Sequence, residues 1–125
     1  MIYGVGIDMV NIHRIVRAID KWGKRFLDRV FTPIEQELCN NRSNTASAFA
    51  IRFAAKEAFS KALGTGMKKG IRWQDIEIYN NPDGKPYLRL TGKARDLCIQ
   101  EGINGINLSL SDDKDYGIAM VILER

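Results

Sequence analysis

The spacing of hydrophobic and polar positions changes along the chain, and each spacing predicts a type of element. An apolar stretch over residues 2–7, ended by Asp8, predicts a short strand. Isoleucine and valine then recur at helical spacing over residues 10–22, and the opposite side of this helix carries basic residues. The chain is therefore predicted to begin with a strand and an amphipathic, basic helix.

Residues 32–35 carry a strong helix-start pattern. Thr32 stands at the N-cap position, Pro33 at the first helical position and Glu35 at the third, which is a capping box with a proline start. A short helix should therefore run to about Cys39. A polar connection over residues 40–44 follows it.

The longest predicted helix covers residues 45–63 and is closed by Gly64. Alanines recur every four residues along it, and this smooth ridge should be buried because it lets another element approach the backbone closely. The adjacent row holds two phenylalanines and continues as Glu57 and Lys61. Spacing alone explains these last two as an ordinary surface pair, so a role at a site stays open at this point.

The second half of the chain has mainly strand patterns. Two alternating segments flank a turn cluster at 81–85 and predict a hairpin, and a polar-faced helix precedes two further strands, the last of them continuously apolar and so the most buried. The predicted elements are strands at 75–79, 87–90, 106–111 and 118–123 and a helix at 91–101. Together they predict an α+β fold, a single domain over residues 1–125 with a largely antiparallel sheet packed against helices.

The composition is that of one soluble globular domain, with 45% hydrophobic and 27% charged residues. No apolar run approaches the ~20 residues needed to span a bilayer, and Asp8 interrupts the start of the chain before a signal-peptide region can form. Cys39 and Cys98 lack the spacing of a disulfide framework or a zinc site. We therefore expect a cytoplasmic protein without a membrane segment.

The net charge of +4 is unevenly distributed. Residues 9–30 carry +4 and residues 52–72 carry +5, while the remainder is net acidic. Two basic zones indicate anionic partners, although a solvated face explains either zone alone. Nucleic acid is not expected, because no binding motif is present and Phe49 and Phe53 lie on a predicted buried row instead of a stacking platform.

The candidate chemistry rests on two carboxylates. His13 is the only histidine, so neither a Ser/His/Asp triad nor a histidine metal site can be assembled from this chain alone. Asp8 at a strand end and Glu57 at a helix edge suit magnesium, which takes one or two carboxylates and fills its other positions with phosphate and water. The glycine-bounded loop over residues 64–70 could hold a phosphate through backbone N–H groups, or it could be only a helix cap and a turn.

Three segments resemble the holo-acyl-carrier-protein synthases of the phosphopantetheinyl transferase superfamily. Residues 4–10 read GVGIDMV and look like the opening strand of that family. Residues 52–66 read RFAAKEAFSKALGTG and are similar to its signature, and residues 107–124 fit its C-terminal hairpin. Shorter matches fall in register between them, so the resemblance covers essentially the whole chain.

The resemblance implies transfer of 4′-phosphopantetheine from coenzyme A to a serine hydroxyl of apo-acyl carrier protein, with release of adenosine 3′,5′-bisphosphate, in support of fatty acid biosynthesis. Asp8 and Glu57 match the catalytic magnesium ligands, and Lys61 matches the lysine one turn after the glutamate. Lys61 either binds the transferred phosphate or takes the serine proton, and the second role requires a lowered pKa because an ordinary lysine is charged at neutral pH. A water activated by Glu57 is the competing base.

The resemblance also assigns partners to the basic zones. Carrier proteins are acidic and the family binds them against its first helix, which implies docking by Arg14, Arg17, Lys21, Lys24 and Arg25. The positions that match the coenzyme A pocket are Arg52, Lys61, Gly64, Thr65, Gly66, Lys85 and Pro86. The family is trimeric with sites at subunit interfaces, so a homotrimer is expected.

One departure from the family affects a further candidate for coenzyme A binding. Many members carry two histidines in a pattern like HVSISH, whereas residues 107–112 read NLSLSD. Asn107 can donate a hydrogen bond to a phosphate but supplies neither a positive charge nor a proton near neutral pH. The alternative to an enzyme is a silent coenzyme A binder or a structural trimer, and the paired carboxylates argue against it because binding alone does not need them.

Overall fold

A computed structural model describes residues 1–125 as five strands, five α-helices and a short 3₁₀ turn at Trp73–Asp75. In chain order the elements are β1 (Ile2–Asn11), α1 (Ile12–Trp22), α2 (Lys24–Val30), α3 (Pro33–Asn40), α4 (Thr45–Leu63), β2 (Ile76–Asn80), β3 (Pro86–Leu90), α5 (Gly92–Gln100), β4 (Gly105–Asp112) and β5 (Tyr116–Glu124). None of the helices combines the length and the apolar character that crossing a membrane requires.

The strands form two antiparallel units. β1, β5 and β4 make a three-stranded sheet in that order, and β2 and β3 make a separate hairpin. Helix α4 packs against β1 and β5 and so covers one face of the larger sheet. The predicted α+β class with largely antiparallel strands is confirmed.

The alanine ridge of α4 lets β1 pass very close to the helix. The ridge is buried from Ala50 to Ala62, as predicted. A Cβ atom added at Gly6 would lie 1.9 Å from the carbonyl oxygen of Ala58, and one added at Gly4 would lie 2.0 Å from the carbonyl oxygen of Ala62. No residue larger than glycine fits at these two positions, and this close contact fixes β1 against α4 along the segment that leads to the first carboxylate.

The predicted helix boundaries agree with the structure where caps were recognised. The hydroxyl of Thr32 accepts the N–H of Glu35 at 3.2 Å, and Glu35 Oε1 accepts the N–H of Thr32 at 2.9 Å, which completes the capping box of α3. Helix α4 begins after Asn44 and ends at Gly64, whose φ of 86° is left-handed. These local patterns therefore determine where α3 begins and where α4 ends.

The first strand is longer than predicted. β1 continues to Asn11 because residues 8–11 pair with β5, and Asp8 lies opposite Ala119 inside the ladder. The prediction that Asp8 ends the strand is therefore wrong. Its backbone is fixed by the sheet, which gives its side chain a more rigid base than a strand terminus would.

The last strand, predicted to be the most buried, has four buried residues, more than any other strand, but all of them lie on one of its faces. Gly117, Ala119, Val121 and Leu123 are buried, and the residues between them point outward. The exposed apolar residues on this side of the sheet, called the outer sheet face below, are Val5, Ile7, Met9, Ile118 and Met120. Helix α2, which follows α1 after one residue, was not predicted.

Candidate active site

Asp8 and Lys61 meet where β1 crosses the C-terminal half of α4. Lys61 Nζ donates to Asp8 Oδ1 at 2.9 Å and to the carbonyl oxygen of Ile7 at 3.1 Å. The Asp8 side chain is 18% exposed and the Lys61 side chain 52%. Glu57 lies one helical turn before Lys61 on α4. The structure thus brings a strand residue and two helix residues to one place at the protein surface.

The pKa of Glu57 reflects its neighbours. Burial raises the pKa of this carboxyl group above its ordinary value, and the negative charge of Asp8 raises it further. The positive charges of Lys61 and Arg14 act in the opposite direction. Arg14, in the first turn of α1, therefore lies near the carboxylates as well as on the helix predicted to dock the carrier protein.

The two carboxylates fit a magnesium ion. They repel each other at a half-buried position, as the raised pKa of Glu57 indicates, and a divalent cation between them would relieve that repulsion. No group of three or more His, Cys, Asp or Glu side chains is placed to hold a metal ion. Asp8 and Glu57 therefore suit a metal that takes its other ligands from water and phosphate oxygens, which is the usual preference of magnesium.

The first three amides of the loop after α4 are already used by the helix end. The N–H groups of Gly64, Thr65 and Gly66 all donate to the carbonyl oxygen of Ser60, at 3.1, 3.3 and 3.1 Å. For residues 64–66 the structure therefore has the helix cap and turn that the sequence analysis left as the alternative, because these amides satisfy the carbonyl group of the helix end. The surface itself remains open, since a Cβ at Gly64 or Gly66 would meet no atom within 4 Å.

Arg52 lies buried in the N-terminal half of α4, with an exposure of only 2%. Its guanidinium donates to the carbonyl oxygen of Ala48 at 3.1 Å and to Asn80 Oδ1 at 2.8 Å, while its Nε has no hydrogen-bond partner. It borders a groove of about 230 Å³ whose lining also includes Arg42 and Asp112. A buried donor without a partner beside a basic groove is suited to an anionic ligand.

Lys85, Pro86 and Asn107 come together between β3 and β4. They line a cavity of about 120 Å³. The side-chain amide of Asn107 donates to the carboxylate of Glu124, which leaves it one further N–H. The adjacent residues Lys85 and Pro86 thus line the same cavity as Asn107, which lies further along the chain and was also predicted to bind coenzyme A.

The predicted coenzyme A residues nevertheless form two separate groups. Asn80, which accepts from Arg52, donates to the carbonyl oxygen of Gly84 at 2.9 Å, so Arg52 is connected to the turn that carries Lys85. Lys61 and the loop 64–66 lie at the other end of α4. A rise of about 1.5 Å per residue puts Gly64 about 18 Å along the helix from Arg52.

The five predicted docking residues are all exposed but belong to two helices. Arg14, Arg17 and Lys21 lie on α1, and Lys24 and Arg25 lie on α2. Two grooves run along α2 and share Arg29. One, of about 480 Å³, is lined by Trp22, Arg25, Phe26 and Arg29, and the other, of about 460 Å³, by Asp28, Arg29, Ile71, Arg72, Trp73 and Gln74. The basic surface therefore continues beyond α1 and includes aromatic rings.

Sequence reasoning missed a buried ion pair next to this site. Lys56 Nζ donates to Glu35 Oε1 at 2.7 Å and to the carbonyl oxygens of Val30 and Trp73 at 2.7 and 3.0 Å. Burial lowers the pKa of Lys56, and the charge of Glu35 opposes that shift. Since Lys56 and Arg52 are both buried, residues 52–72 present less surface charge than predicted.

Comparisons with known proteins all point to one family. The model of the 4′-phosphopantetheinyl transferase superfamily matches residues 4–121. The holo-[acyl-carrier-protein] synthase of Geotalea daltonii is 50% identical over 125 residues, which is 100% of both chains. The crystal structure of the Neisseria meningitidis synthase has a TM-score of 0.92 and 38% identity, with 100% of both chains covered. That of Helicobacter pylori, in complex with coenzyme A, has a TM-score of 0.86 and 33% identity over 96% of this chain and 99% of its own.

Proposed function

The chain belongs to the holo-[acyl-carrier-protein] synthases of the 4′-phosphopantetheinyl transferase superfamily, and from this premise we propose the details of its reaction. A serine hydroxyl of apo-acyl carrier protein attacks the pyrophosphate of coenzyme A in a magnesium-dependent step, takes up 4′-phosphopantetheine and releases adenosine 3′,5′-bisphosphate. The convergence of Asp8, Glu57 and Lys61 at one half-buried position is the observation that carries the proposal.

Asp8 and Glu57 would hold the metal ion. When bound, magnesium supplies positive charge to the pyrophosphate and favours in-line attack at phosphorus. The pairing of β1 with β5 fixes Asp8, and the buried ridge of α4 fixes the helix that carries Glu57. Because both carboxylates come from packed elements, their relative position does not depend on a loop.

Lys61 binds phosphate in this mechanism and does not take the serine proton. Its ammonium donates to Asp8 at 2.9 Å, and an ammonium carries only donors and has no lone pair with which to accept a proton. A water activated by Glu57 is then the base.

The coenzyme A site would be completed between protomers of a homotrimer. Within one chain, the group of Lys61 with the loop 64–66 and the group of Lys85 with Arg52 lie at different places along α4, where Arg52 and Lys61 are nine residues, or about 13–14 Å, apart. Adjacent protomers could bring the first group of one chain against the second group of the next. The outer sheet face supports this assembly, because a contiguous exposed apolar surface of this kind is typical of an interface.

Helices α1 and α2 would dock the acidic carrier protein. Their exposed basic residues supply attraction over a distance, and the aromatic residues of the grooves along α2 supply apolar contacts. Charge reversal by Arg17→Glu should weaken carrier-protein binding and leave the affinity for coenzyme A unchanged. A variant with impaired coenzyme A binding and normal carrier binding would contradict this assignment.

Mass spectrometry of the carrier protein tests the proposed reaction. The enzyme, coenzyme A, magnesium and apo-carrier protein should yield a carrier that has gained one phosphopantetheine. Glu57→Gln should keep the fold and lose most turnover, because it replaces a charged ligand by a weaker neutral oxygen. Glu37→Gln, at an exposed position of α3, is the matched control and should modify the carrier at the wild-type rate.

Two results would contradict the proposal. One is a near wild-type rate for Glu57→Gln at saturating magnesium, which would remove Glu57 from the metal site. The other is a wild-type enzyme that binds coenzyme A and never modifies the carrier, which would favour a silent binding protein.

A further inference from the structure

The outward side of the β2–β3 hairpin carries a row of cations and aromatic rings, and the proposed function uses only one of them, Lys85. The guanidinium of Arg89 lies 4.8 Å from the centre of the Tyr79 ring. Tyr79 stacks on Tyr87, its partner across the strands, with ring centres 5.7 Å apart and 25° between the ring planes. The ammonium of Lys85 lies 5.5 Å from the centre of the Tyr87 ring. These four residues are called the hairpin stack below.

One end of the hairpin stack is anchored in a buried part of the molecule. Arg89 donates to the carboxylate of Glu77, which lies directly opposite it on β2. The Glu77 side chain is only 12% exposed and accepts a hydrogen bond from the hydroxyl of Thr32 at 2.6 Å. Arg89 is therefore held by a carboxylate that is itself fixed. Its guanidinium in turn fixes the Tyr79 ring, against which Tyr87 stacks.

The other end of the hairpin stack is Lys85, whose ammonium forms no ion pair or hydrogen bond within the chain. Its backbone N–H is fixed by Asn81 Oδ1 at 2.9 Å, so the start of the side chain is well placed. Beyond that, the Tyr87 ring is the contact that restricts the ammonium. The same lysine lines the cavity that it shares with Asn107.

We propose that Tyr87, supported by Tyr79 and Arg89, is a positioning residue that holds the ammonium of Lys85 ready for a phosphate group of coenzyme A. The inference rests on the proposed function, in which Lys85 binds coenzyme A. A free lysine side chain loses rotamer freedom when it binds an anion. A lysine whose side chain is already restricted by an aromatic face loses less rotamer freedom when the anion binds, so it binds the anion more tightly.

The position of the hairpin stack separates this role from a general contribution to folding. Tyr87 and Arg89 are exposed and lie outside the cluster of 23 buried apolar residues. The alternate residues of the same strand, Leu88 and Leu90, pack against that cluster. Substitutions of the outward residues should therefore leave the fold intact, so that a change in binding reports on Lys85.

The test is the dissociation constant of coenzyme A, measured by calorimetry for a double-mutant cycle on the full chain. Tyr87→Leu should weaken binding about two- to fivefold, the range for an exposed cation–aromatic contact. In a Lys85→Ala background the same substitution should have no further effect, because a positioning residue acts only through the residue it positions. Tyr87→Phe, which keeps the ring, should bind like the wild type.

A matched control removes a similar contact elsewhere. The guanidinium of Arg125 lies 5.0 Å from the centre of the Tyr3 ring, outside the hairpin stack. Arg125→Ala should therefore leave the dissociation constant of coenzyme A unchanged. Arg89→Ala, which removes a cation of the hairpin stack, should raise that constant. If Tyr87→Leu weakens coenzyme A binding equally in the wild-type and Lys85→Ala backgrounds, the positioning role is wrong, but the proposed function is unaffected. A Lys85→Ala variant that binds coenzyme A normally would overturn the assignment of Lys85 in the proposed function, and the inference with it.

Discussion

At the scale of single residues, the buried ion pair of Lys56 and Glu35 has a hydrogen-bond partner for each of its charged groups. The ammonium of Lys56 contacts one carboxylate and two backbone carbonyls and is wholly buried. The carboxylate of Glu35 also accepts the backbone N–H groups of Thr32 and Ile78. This pair therefore joins α3, α4 and β2 through one fully satisfied polar network, immediately beside the helix residue Glu57.

Removing one partner of this pair should be strongly destabilising. Lys56→Met leaves the charge of Glu35 buried without its counter-ion, and we expect a loss of about 3–5 kcal/mol in the free energy of unfolding, measured with urea. The double variant Lys56→Met, Glu35→Gln should recover part of that loss because no charge remains buried. Lys93→Met, on the exposed side of α5, is the control and should have little effect. A single Lys56→Met variant as stable as the wild type would contradict this account.

The pair of Glu77 and Arg89 gives a prediction about pH. Burial alone would raise the pKa of Glu77, but hydrogen bonds from Thr32 and Arg89 and the charges of Arg89 and Lys56 outweigh it, and the pKa lies below its ordinary value of 4.5. The stabilisation is therefore complete above about pH 4.5 and is lost as the pH falls through the lower, folded-state pKa. The difference in unfolding free energy between wild type and Glu77→Gln should shrink over that acidic range. A difference that stays constant with pH would show that Glu77 titrates alike in both states.

At this scale, sequence reasoning identified the candidate site residues but not the buried charges. Asp8, Glu57 and Lys61 were recognised because they sit in motifs, and the structure brings them together. Arg52 and Lys56 were counted as surface charge, although their spacing from the neighbouring phenylalanines of α4 puts them on a buried stripe. Their charged groups can be buried because β2 and α3 supply hydrogen-bond acceptors. The sequence of α4 alone does not reveal those acceptors.

At the scale of elements, the close contact between β1 and α4 fixes the strand that carries Asp8. Gly6→Ala would place a methyl group 1.9 Å from the carbonyl oxygen of Ala58, which is backbone and cannot rotate away. We expect a loss of about 1–3 kcal/mol or more in unfolding free energy and a fall in transfer rate, because β1 must move away from α4 and carry Asp8 with it. Urea unfolding and the carrier-modification assay measure the two effects.

The control for this prediction is a glycine that has space around it. Gly102→Ala adds a methyl group with no atom within 4 Å and carries only the strain of its φ of 72°, so it should cost about 1–2 kcal/mol and leave the transfer rate unchanged. Wild-type stability and rate for Gly6→Ala would show that β1 and α4 can separate without consequence.

The elements predicted correctly are those whose signals are local. Caps at Thr32 and Gly64 lie within a few residues of the helix ends they define, and the turn at 81–85 lies between the strands it joins. The extension of β1 depends on pairing with β5, more than 100 residues later in the chain. The short helix α2 lacks a side-chain cap and is held by tertiary contacts, so its own residues did not reveal it.

At the scale of the whole molecule, the chain leaves an apolar surface without a partner. Ile7 and Met120 lie opposite each other on the outer sheet face and are 60% and 39% exposed. The inner side of the same sheet is covered by α4, so only another molecule can cover the outer one. Association of identical chains through this face, as in the proposed homotrimer, would bury these residues.

Ile7→Asp tests this assembly, because its side chain points away from the core. The variant should remain folded but dissociate, and light scattering should report a mass near 14.2 kDa instead of three times that value. Transfer should fall with dissociation and recover partly at high protein concentration, since a site built from two protomers depends on mass action. Ile99→Asp, at an isoleucine that is 65% exposed on α5, is the control and should stay assembled and active. A wild-type protein that is monomeric and fully active would contradict the shared site, and the two groups along α4 would then have to serve different parts of one coenzyme A molecule within a single chain.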